Sequence, residues 1–174
     1  MPLSRIVVKN VLKQAFSQNN LILVSETGTT FNLIRSNNTK IISTQLIISS
    51  TINIRRHGSH NGNTIDGIGV YKFILPTVDL KTDYFIMALE NTVYGCAEFV
   101  IVGYDDLVER LKKRNRILED NVEVCLWLMP DRCVYDTTHI SIEGEWYGIS
   151  KGIGGRMFDE TEMDYTLCLN NWGL

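Results

Sequence analysis

The chain has 174 residues, of which 44% are hydrophobic and 21% are charged, and its formal net charge is −3. This composition is that of an ordinary globular protein, and the length suits one domain with its own core. The weak negative charge excludes a global attraction to nucleic acid or anionic membranes, so any basic patch must be local. No apolar run reaches the roughly 18 to 20 residues that span a bilayer, and the N-terminus lacks a signal peptide's apolar block. We therefore expect a single cytoplasmic domain, residues 1–174, with no membrane association.

The four cysteines are spread along the chain and form no CxxC pair. Zinc sites normally need such closely spaced ligand pairs, so the spacing predicts no metal site and no cofactor. Cys125 and Cys168 lie in apolar runs and are predicted to be buried thiols.

The first predicted element is a helix from Ser4 to Phe16. Its apolar residues recur at helical spacing and form one stripe: Val8, Val11, Leu12, Ala15 and Phe16. Leu21 to Ser25 follows as a predicted strand, and Glu26-Thr27-Gly28-Thr29 as a turn.

The segment from Phe31 to Ser50 predicts a β-hairpin. Two apolar runs, FNLIR and KIISTQLIIS, flank the polar turn Ser36-Asn37-Asn38. The second run is rich in isoleucine, which is typical of a strand buried on both faces. We expect the core to form around this hairpin.

The segment from Arg55 to Gly69, RRHGSHNGNTIDGIG, contains four glycines and is predicted to be a long polar loop. Three strands are predicted after it, at Val70 to Leu75, Tyr84 to Leu89 and Glu98 to Tyr104.

The rest of the chain alternates helix and strand signals. A helix is predicted from Asp105 to Arg116, where Asp106 and Glu109 have capping-box spacing. A strand is predicted at Val122 to Met129, and a hairpin over residues 134–147 that turns at Glu143-Gly144. The glycine-rich segment 148–155 lacks the order of a phosphate-binding loop and is predicted to be irregular. A last helix is predicted over residues 159–172, with Met163, Leu167 and Trp172 facing inward. Together the elements predict a mixed α/β or α+β domain.

This order of elements, with the segments FNLI and TQLIIS, resembles the restriction-endonuclease-like superfamily, the PD-(D/E)XK nucleases. A member opens with a helix and a strand, followed by a hairpin, two more strands and a helix. The resemblance implies a mixed central sheet flanked by helices. It covers a nuclease-like core of about residues 5–116, which leaves a strand-rich C-terminal extension of about residues 117–174.

The resemblance also implies where catalytic residues would lie. FNLI stands where members carry FDLI, and TQLIIS stands where they carry IQVKTS, so the matching positions here are Asn32, Gln45 and Ile47. Carboxylates of the family hold Mg²⁺, and the lysine stabilises charge or positions water. Asn32 and Ile47 can do neither, so the motif is degenerate. The resemblance therefore implies a catalytically silent domain that binds nucleic acid or a protein partner, in a restriction or phage-defence setting.

Two alternatives stay open. In the first, the chain is an active nuclease that uses Mg²⁺ or Mn²⁺ and relocated residues, the candidates being Lys40, Glu26 and Asp66. In the second, it is an interaction or assembly module that pairs with a protein partner or with itself and binds no nucleic acid.

Candidate nucleic-acid contacts come from two basic segments. The first follows the hairpin, close to where the resembled fold has its substrate groove, and the second is the densest basic cluster of the chain. A solvated helix face offset by nearby acidic residues is the competing interpretation of the second. The candidates are Arg55 and Arg56, then Arg110, Lys112, Lys113, Arg114 and Arg116. The pair His57 and His60 with Asp66 could hold a metal, but a solvated loop is the favoured interpretation.

Overall fold

A computed structural model describes residues 4–49, 51–53, 57–60, 63–66, 69–76, 82–91, 94–113, 121–129, 132–136, 138 and 164–174. The elements in chain order are α1 (Arg5–Gln18), β1 (Leu21–Thr27), β2 (Thr30–Arg35), β3 (Ile42–Ile48), β4 (Thr51–Asn53), β5 (His57–His60), β6 (Asn63–Asp66), β7 (Gly69–Pro76), β8 (Tyr84–Asn91), β9 (Cys96–Gly103), α2 (Tyr104–Lys113), β10 (Asn121–Leu128), β11 (Val134–Asp136) and a 3₁₀ helix (Thr166–Cys168). The coarse prediction of a mixed α+β domain is confirmed.

The strands form a five-stranded sheet in the order β1-β2-β3-β8-β9 and a four-stranded sheet in the order β11-β10-β7-β4. Neighbours in both sheets are antiparallel except β3 and β8, which run parallel. The predicted hairpin is confirmed as β2 and β3. Strand β10, from the predicted extension, pairs with β7 along its whole length, so the predicted core and extension share one sheet.

Two apolar clusters cover the two faces of the five-stranded sheet. On one face, α1 inserts Val8, Leu12 and Phe16, and Ser4 caps this helix by accepting a hydrogen bond from the Val7 amide. On the other face lie the four-stranded sheet and α2, which contributes Leu107 and Leu111. Successive strand residues point to opposite faces, so β8 and β9 supply both clusters.

The prediction that β3 is buried on both faces is only partly right. Thr44 and Leu46 are buried, whereas Gln45 and Ile47, on the other face, are half-buried. Burial on both faces falls instead on β8, where Phe85 to Leu89 are all buried. Strand β8 lies between β3, to which it runs parallel, and β9, and the two apolar clusters cover its two faces.

The polar loop predicted from Arg55 to Gly69 is wrong where the structure describes it. Residues His57–His60 and Asn63–Asp66 are two antiparallel strands that pair with each other. The sequence between them is Asn61-Gly62, and this dipeptide is the strongest short-range signal for a tight hairpin turn. Glycines often mark loops, but Gly62 belongs to this turn signal.

The helix predicted over residues 159–172 is also wrong where it is described. Asp164 and Leu169 form single bridges to Tyr135 and Val100, with the short 3₁₀ helix between them. Asn170 has a positive φ of 51°, which an α-helix does not allow. The tail instead bonds to β9: the Asn170 amide donates to the Phe99 carbonyl, and its side-chain oxygen accepts from the Phe99 amide.

The tail's apolar residues are only partly as predicted. Trp172 packs inward against Phe16 and Phe99, as expected, with both ring centroids 5.7 Å away. Leu167 is 85% exposed and does not pack inward. Met163, the segment 148–155 and the turn predicted at Glu143-Gly144 lie outside the described residues.

Helix α2 begins one residue earlier than predicted, and this removes the predicted capping box. Asp106 is the third residue of the helix, so it cannot be its N-cap. Its carboxylate accepts a hydrogen bond from Arg110 at 2.9 Å instead. Glu109 pairs in the same i,i+4 manner with Lys113.

Candidate functional site

The hairpin brings the three nuclease-equivalent positions to one face of the sheet. Asn32 on β2 lies opposite Ser43, and Gln45 and Ile47 follow on the same side of β3. The residues that alternate with them, Phe31 and Leu46 among others, belong to the cluster beneath α1. Asn32, Gln45 and Ile47 therefore share the face that points away from α1.

None of these three side chains supplies a charge. The Asn32 amide donates a 2.9 Å hydrogen bond to the Ser25 hydroxyl on β1. The side-chain oxygen of Gln45 is buried and accepts no hydrogen bond from the described residues. Ile47 packs against the cluster between the sheets. Two amides and a hydrocarbon supply no negative charge to hold Mg²⁺ and no group that transfers a proton.

The candidate carboxylate Glu26 lies on the opposite face of the sheet. It pairs across the strands with Phe31, on the α1 side, and its two oxygens each lie 2.6 Å from a lysine of α1, Lys9 and Lys13. The hydrogen bonds from Lys13 and then Lys9 hold the pKa of Glu26 below its usual value. Glu26 therefore joins α1 to β1, and the sheet separates it from Gln45.

The other two relocation candidates are also kept apart from the nuclease-equivalent face. Lys40 precedes β3, and the five steps from Ile42 to Ile47 alone span about 17 Å at ~3.3 Å per step. Asp66 lies opposite His57 in the two-stranded β5–β6 hairpin, outside the five-stranded sheet. Glu26 and Lys40 are therefore not brought together with Gln45, and the side chain of Asp66 lies outside the described part of the structure.

The predicted basic cluster on α2 is largely engaged within the fold. The Arg110 guanidinium donates to Asp106 and, at 2.7 Å, to the Asp164 carbonyl, and it stacks 4.7 Å from the centre of the Tyr165 ring. Lys113 pairs with Glu109 at 2.9 Å. Lys112 is exposed. The remaining candidates lie outside the described residues: Arg55, Arg56, Arg114 and Arg116.

A cleft of about 540 Å³ opens at the opposite end of the hairpin from Gln45 and Ile47. Strands β3 and β8 are parallel, so both begin at this edge of the sheet, and their antiparallel neighbours β2 and β9 both end there. Helix α2 starts directly after β9. The cleft is therefore lined by residues from five element ends, and its charged and aromatic members are Arg35, Lys40, Asp83, Tyr84, Tyr104 and Asp105.

Asp83 fixes the floor of this cleft. Its carboxylate accepts a 2.8 Å hydrogen bond from the Ser43 amide, and its own amide donates to the Ser43 carbonyl at 2.8 Å. Its carbonyl accepts from the Tyr104 amide at the start of α2, at 2.9 Å. These bonds tie β3, β8 and α2 together at one residue, so the floor is rigidly connected.

The two cations of the cleft differ in how they are held. The Arg35 Nε donates to the Leu174 carbonyl, which leaves its two terminal nitrogens without a partner among the described residues. Lys40 is exposed, and its backbone amide donates to the Asn38 side chain. Its ammonium has no partner in the described part of the chain.

Sequence reasoning missed this cleft. Its polar residues flank strand ends far apart in sequence, and only the parallel pairing of β3 with β8 brings those ends together. The available signals were Arg35 and Lys40 beside the predicted turn, and the pairs Asp83-Tyr84 and Tyr104-Asp105 at predicted strand ends.

Within the described residues, no group of three or more histidine, cysteine, aspartate or glutamate side chains is arranged to hold a metal ion. Among the helices described, none is long and apolar enough to cross a membrane.

Comparisons with known proteins give one likeness in sequence. A protein of Fusobacterium nucleatum named cytidylate kinase is 29% identical to this chain over 125 residues, which are 69% of this chain and 57% of that protein. The chain thus spans little more than half the length of this curated relative. No family model matches the chain, and no solved structure matches it.

Proposed function

We propose that the protein is a catalytically silent nuclease-like domain that binds nucleic acid, in a restriction or phage-defence setting. One observation carries the proposal. The hairpin holds Asn32, Gln45 and Ile47 on one face, in the relation that the resembled nucleases need, yet Asn32 is bonded to Ser25 and Ile47 is packed in hydrocarbon. Such a face has the strand placement that the resemblance implies, without the charges that a metal site needs.

The positions of the relocation candidates favour this silent form over an active nuclease. Mg²⁺ or Mn²⁺ chemistry would need carboxylates and a lysine converging near Gln45. Glu26 is held by two lysines on the far face, and Lys40 lies beyond the other end of β3. The proposal therefore requires no metal and no cofactor.

The test combines a plasmid-nicking assay with a binding assay at low salt. We expect no cutting with Mg²⁺ or Mn²⁺, and a gel shift that weakens steeply as salt rises, because phosphate contacts release counterions. The variant Lys112→Ala should reduce the shift, with Ile41→Ala as the control that changes an exposed side chain without removing charge. Metal-dependent cutting that is lost in Lys40→Ala would replace the proposal with the active alternative, and a flat gel shift would remove nucleic-acid binding.

A second candidate function, an assembly module, is favoured by the apolar edge of the first sheet. Among the described strands, β1 has a neighbour on one side only, which is β2. Its residues Ile22, Leu23 and Val24 are 50%, 36% and 51% exposed. Unprotected apolar edge strands are templates for pairing with another chain. Sedimentation of the protein and of Val24→Lys tests this function: association that the lysine abolishes, without DNA retention, would favour it.

The likeness to a protein named cytidylate kinase raises phosphate transfer as a further candidate. Many enzymes that handle nucleoside triphosphates hold the phosphates with a GxxxxGK[ST] loop. No Gly-Lys pair occurs anywhere in this sequence. A kinase activity of that kind is therefore not part of the proposal.

A further inference from the structure

We propose that the cleft at the start of β3 and β8 binds a nucleoside phosphate, with the phosphate on Arg35 and Lys40 and the base against Tyr84. Its volume of about 540 Å³ lies within the range of small-molecule sites, about 300–1,000 Å³. This inference goes beyond the proposed function, because it uses none of the nuclease-equivalent positions.

The two cations supply the phosphate end of the site. Arg35 is oriented by the bond from its Nε to the Leu174 carbonyl, so the two terminal nitrogens form a fixed fork. A guanidinium fork matches the spacing of phosphate oxygens, and a lysine adds a mobile point charge beside it. Both line the same cleft.

The aromatic wall supplies the base end. The Tyr84 ring lies along the backbone of Gly103, where an added Cβ would sit 3.6 Å from the ring. Tyr104 also lines the cleft and packs against Phe85, with ring centroids 6.3 Å apart. A flat base stacks well on such a surface, and base–aromatic stacking tolerates different bases.

The two carboxylates of the cleft favour a nucleotide over inorganic phosphate as its ligand. Asp83 and Asp105 line the cleft with the two cations, so the formal charges of these four groups cancel. A plain phosphate would meet attraction from one pair and repulsion from the other. A nucleoside phosphate carries an anion at one end and hydrogen-bond donors on its ribose or base at the other, which suits both pairs.

Calorimetric titration of the full chain tests this inference with AMP and CMP as probes. Adenosine, cytidine and inorganic phosphate are titrated separately, as the nucleoside and phosphate halves of these nucleotides. We expect a nucleotide to bind at least about tenfold more tightly than either half. Lys40→Ala should weaken nucleotide binding by about tenfold, the size of one charge-assisted hydrogen bond. Arg5→Ala, an exposed arginine of α1 outside the cleft, is the matched control and should bind as the wild-type protein does.

Competition by a 5′-phosphorylated hexanucleotide distinguishes the two sources of the ligand. If the hexanucleotide displaces the mononucleotide, the site binds the 5′-phosphorylated ends of nucleic acids. If it does not, the site binds free nucleotides. Absence of nucleotide binding, equal binding of inorganic phosphate, or unchanged binding by Lys40→Ala would each overturn the inference. The salt-dependent DNA shift is measured separately, on Lys112→Ala, so failure of one proposal does not imply failure of the other.

Discussion

Arg110 provides a test of whether the basic cluster on α2 serves binding or structure. Its side chain is 18% exposed and holds the tail against α2 through the Asp164 carbonyl and the Tyr165 ring. A hydrogen bond from a charged group contributes about 1.5–3 kcal/mol, and a desolvated cation–π contact contributes about 0.5–2 kcal/mol. We therefore expect Arg110→Ala to lower the free energy of unfolding by about 3 kcal/mol.

In a chain of this size, each kcal/mol shifts the melting temperature by about 2–4 °C, so the variant should melt about 6–12 °C lower. Scanning calorimetry measures this, with Lys112→Ala as the control, because an exposed lysine should change stability by less than about 0.5 kcal/mol. The structural interpretation would be refuted if Arg110→Ala melted with the wild-type protein while its DNA shift disappeared. That result would restore Arg110 as a nucleic-acid contact.

Three further predictions concern the core, the buried Tyr165 hydroxyl and the Cys125 thiol, which is half-buried rather than fully buried as predicted. Leu46→Ala should cost about 2–5 kcal/mol in denaturant unfolding, whereas Ile41→Ala, which is 56% exposed, should cost less than about 0.5 kcal/mol. Tyr165→Phe should leave stability unchanged or raise it, because the buried hydroxyl has no partner among the described residues; a loss above about 1 kcal/mol contradicts this. Burial raises the pKa of Cys125 from 9.0 to about 11. Ionisation is thus easier in the unfolded chain, so stability should fall between about pH 9 and 11, and iodoacetamide at pH 8 should modify exposed Cys96 first.

Strand and helix periodicity predicted the sheet well because the signals are local. The alternation of faces along β2 and the 3.6-residue stripe of α1 both follow from side chains close together in sequence. The helix prediction for the C-terminal tail was wrong because the tail's contacts are not local. Its pairing with β9 joins Phe99 to Asn170, 71 positions away, and no local pattern indicates that partner. The helix predicted over residues 159–172 depended on local signals, and local propensity is readily overridden by tertiary contacts.

The candidate site was predictable only where it depends on one hairpin. The positions Asn32, Gln45 and Ile47 share one face because an antiparallel turn fixes the register of β2 and β3. The role of Arg110 depends on a hydrogen bond to Asp164, 54 positions later in the sequence. The sequence therefore indicated a basic cluster, whereas the fold uses Arg110 for an internal contact. The cleft depends on the parallel pairing of β3 with β8, a choice made by packing over an intervening segment of more than thirty residues.

The two ends of β3 now carry opposite chemistry, and this bears on both proposals. Toward Ile47, the face of the strand holds the Gln45 amide and hydrocarbon. Toward Lys40, cations, carboxylates and tyrosines converge on a cleft. Charged groups gathered at one place are costly to maintain unless a ligand site uses them. The distribution of charge along this single strand therefore favours ligand recognition at its Lys40 end, away from the face of Gln45 and Ile47.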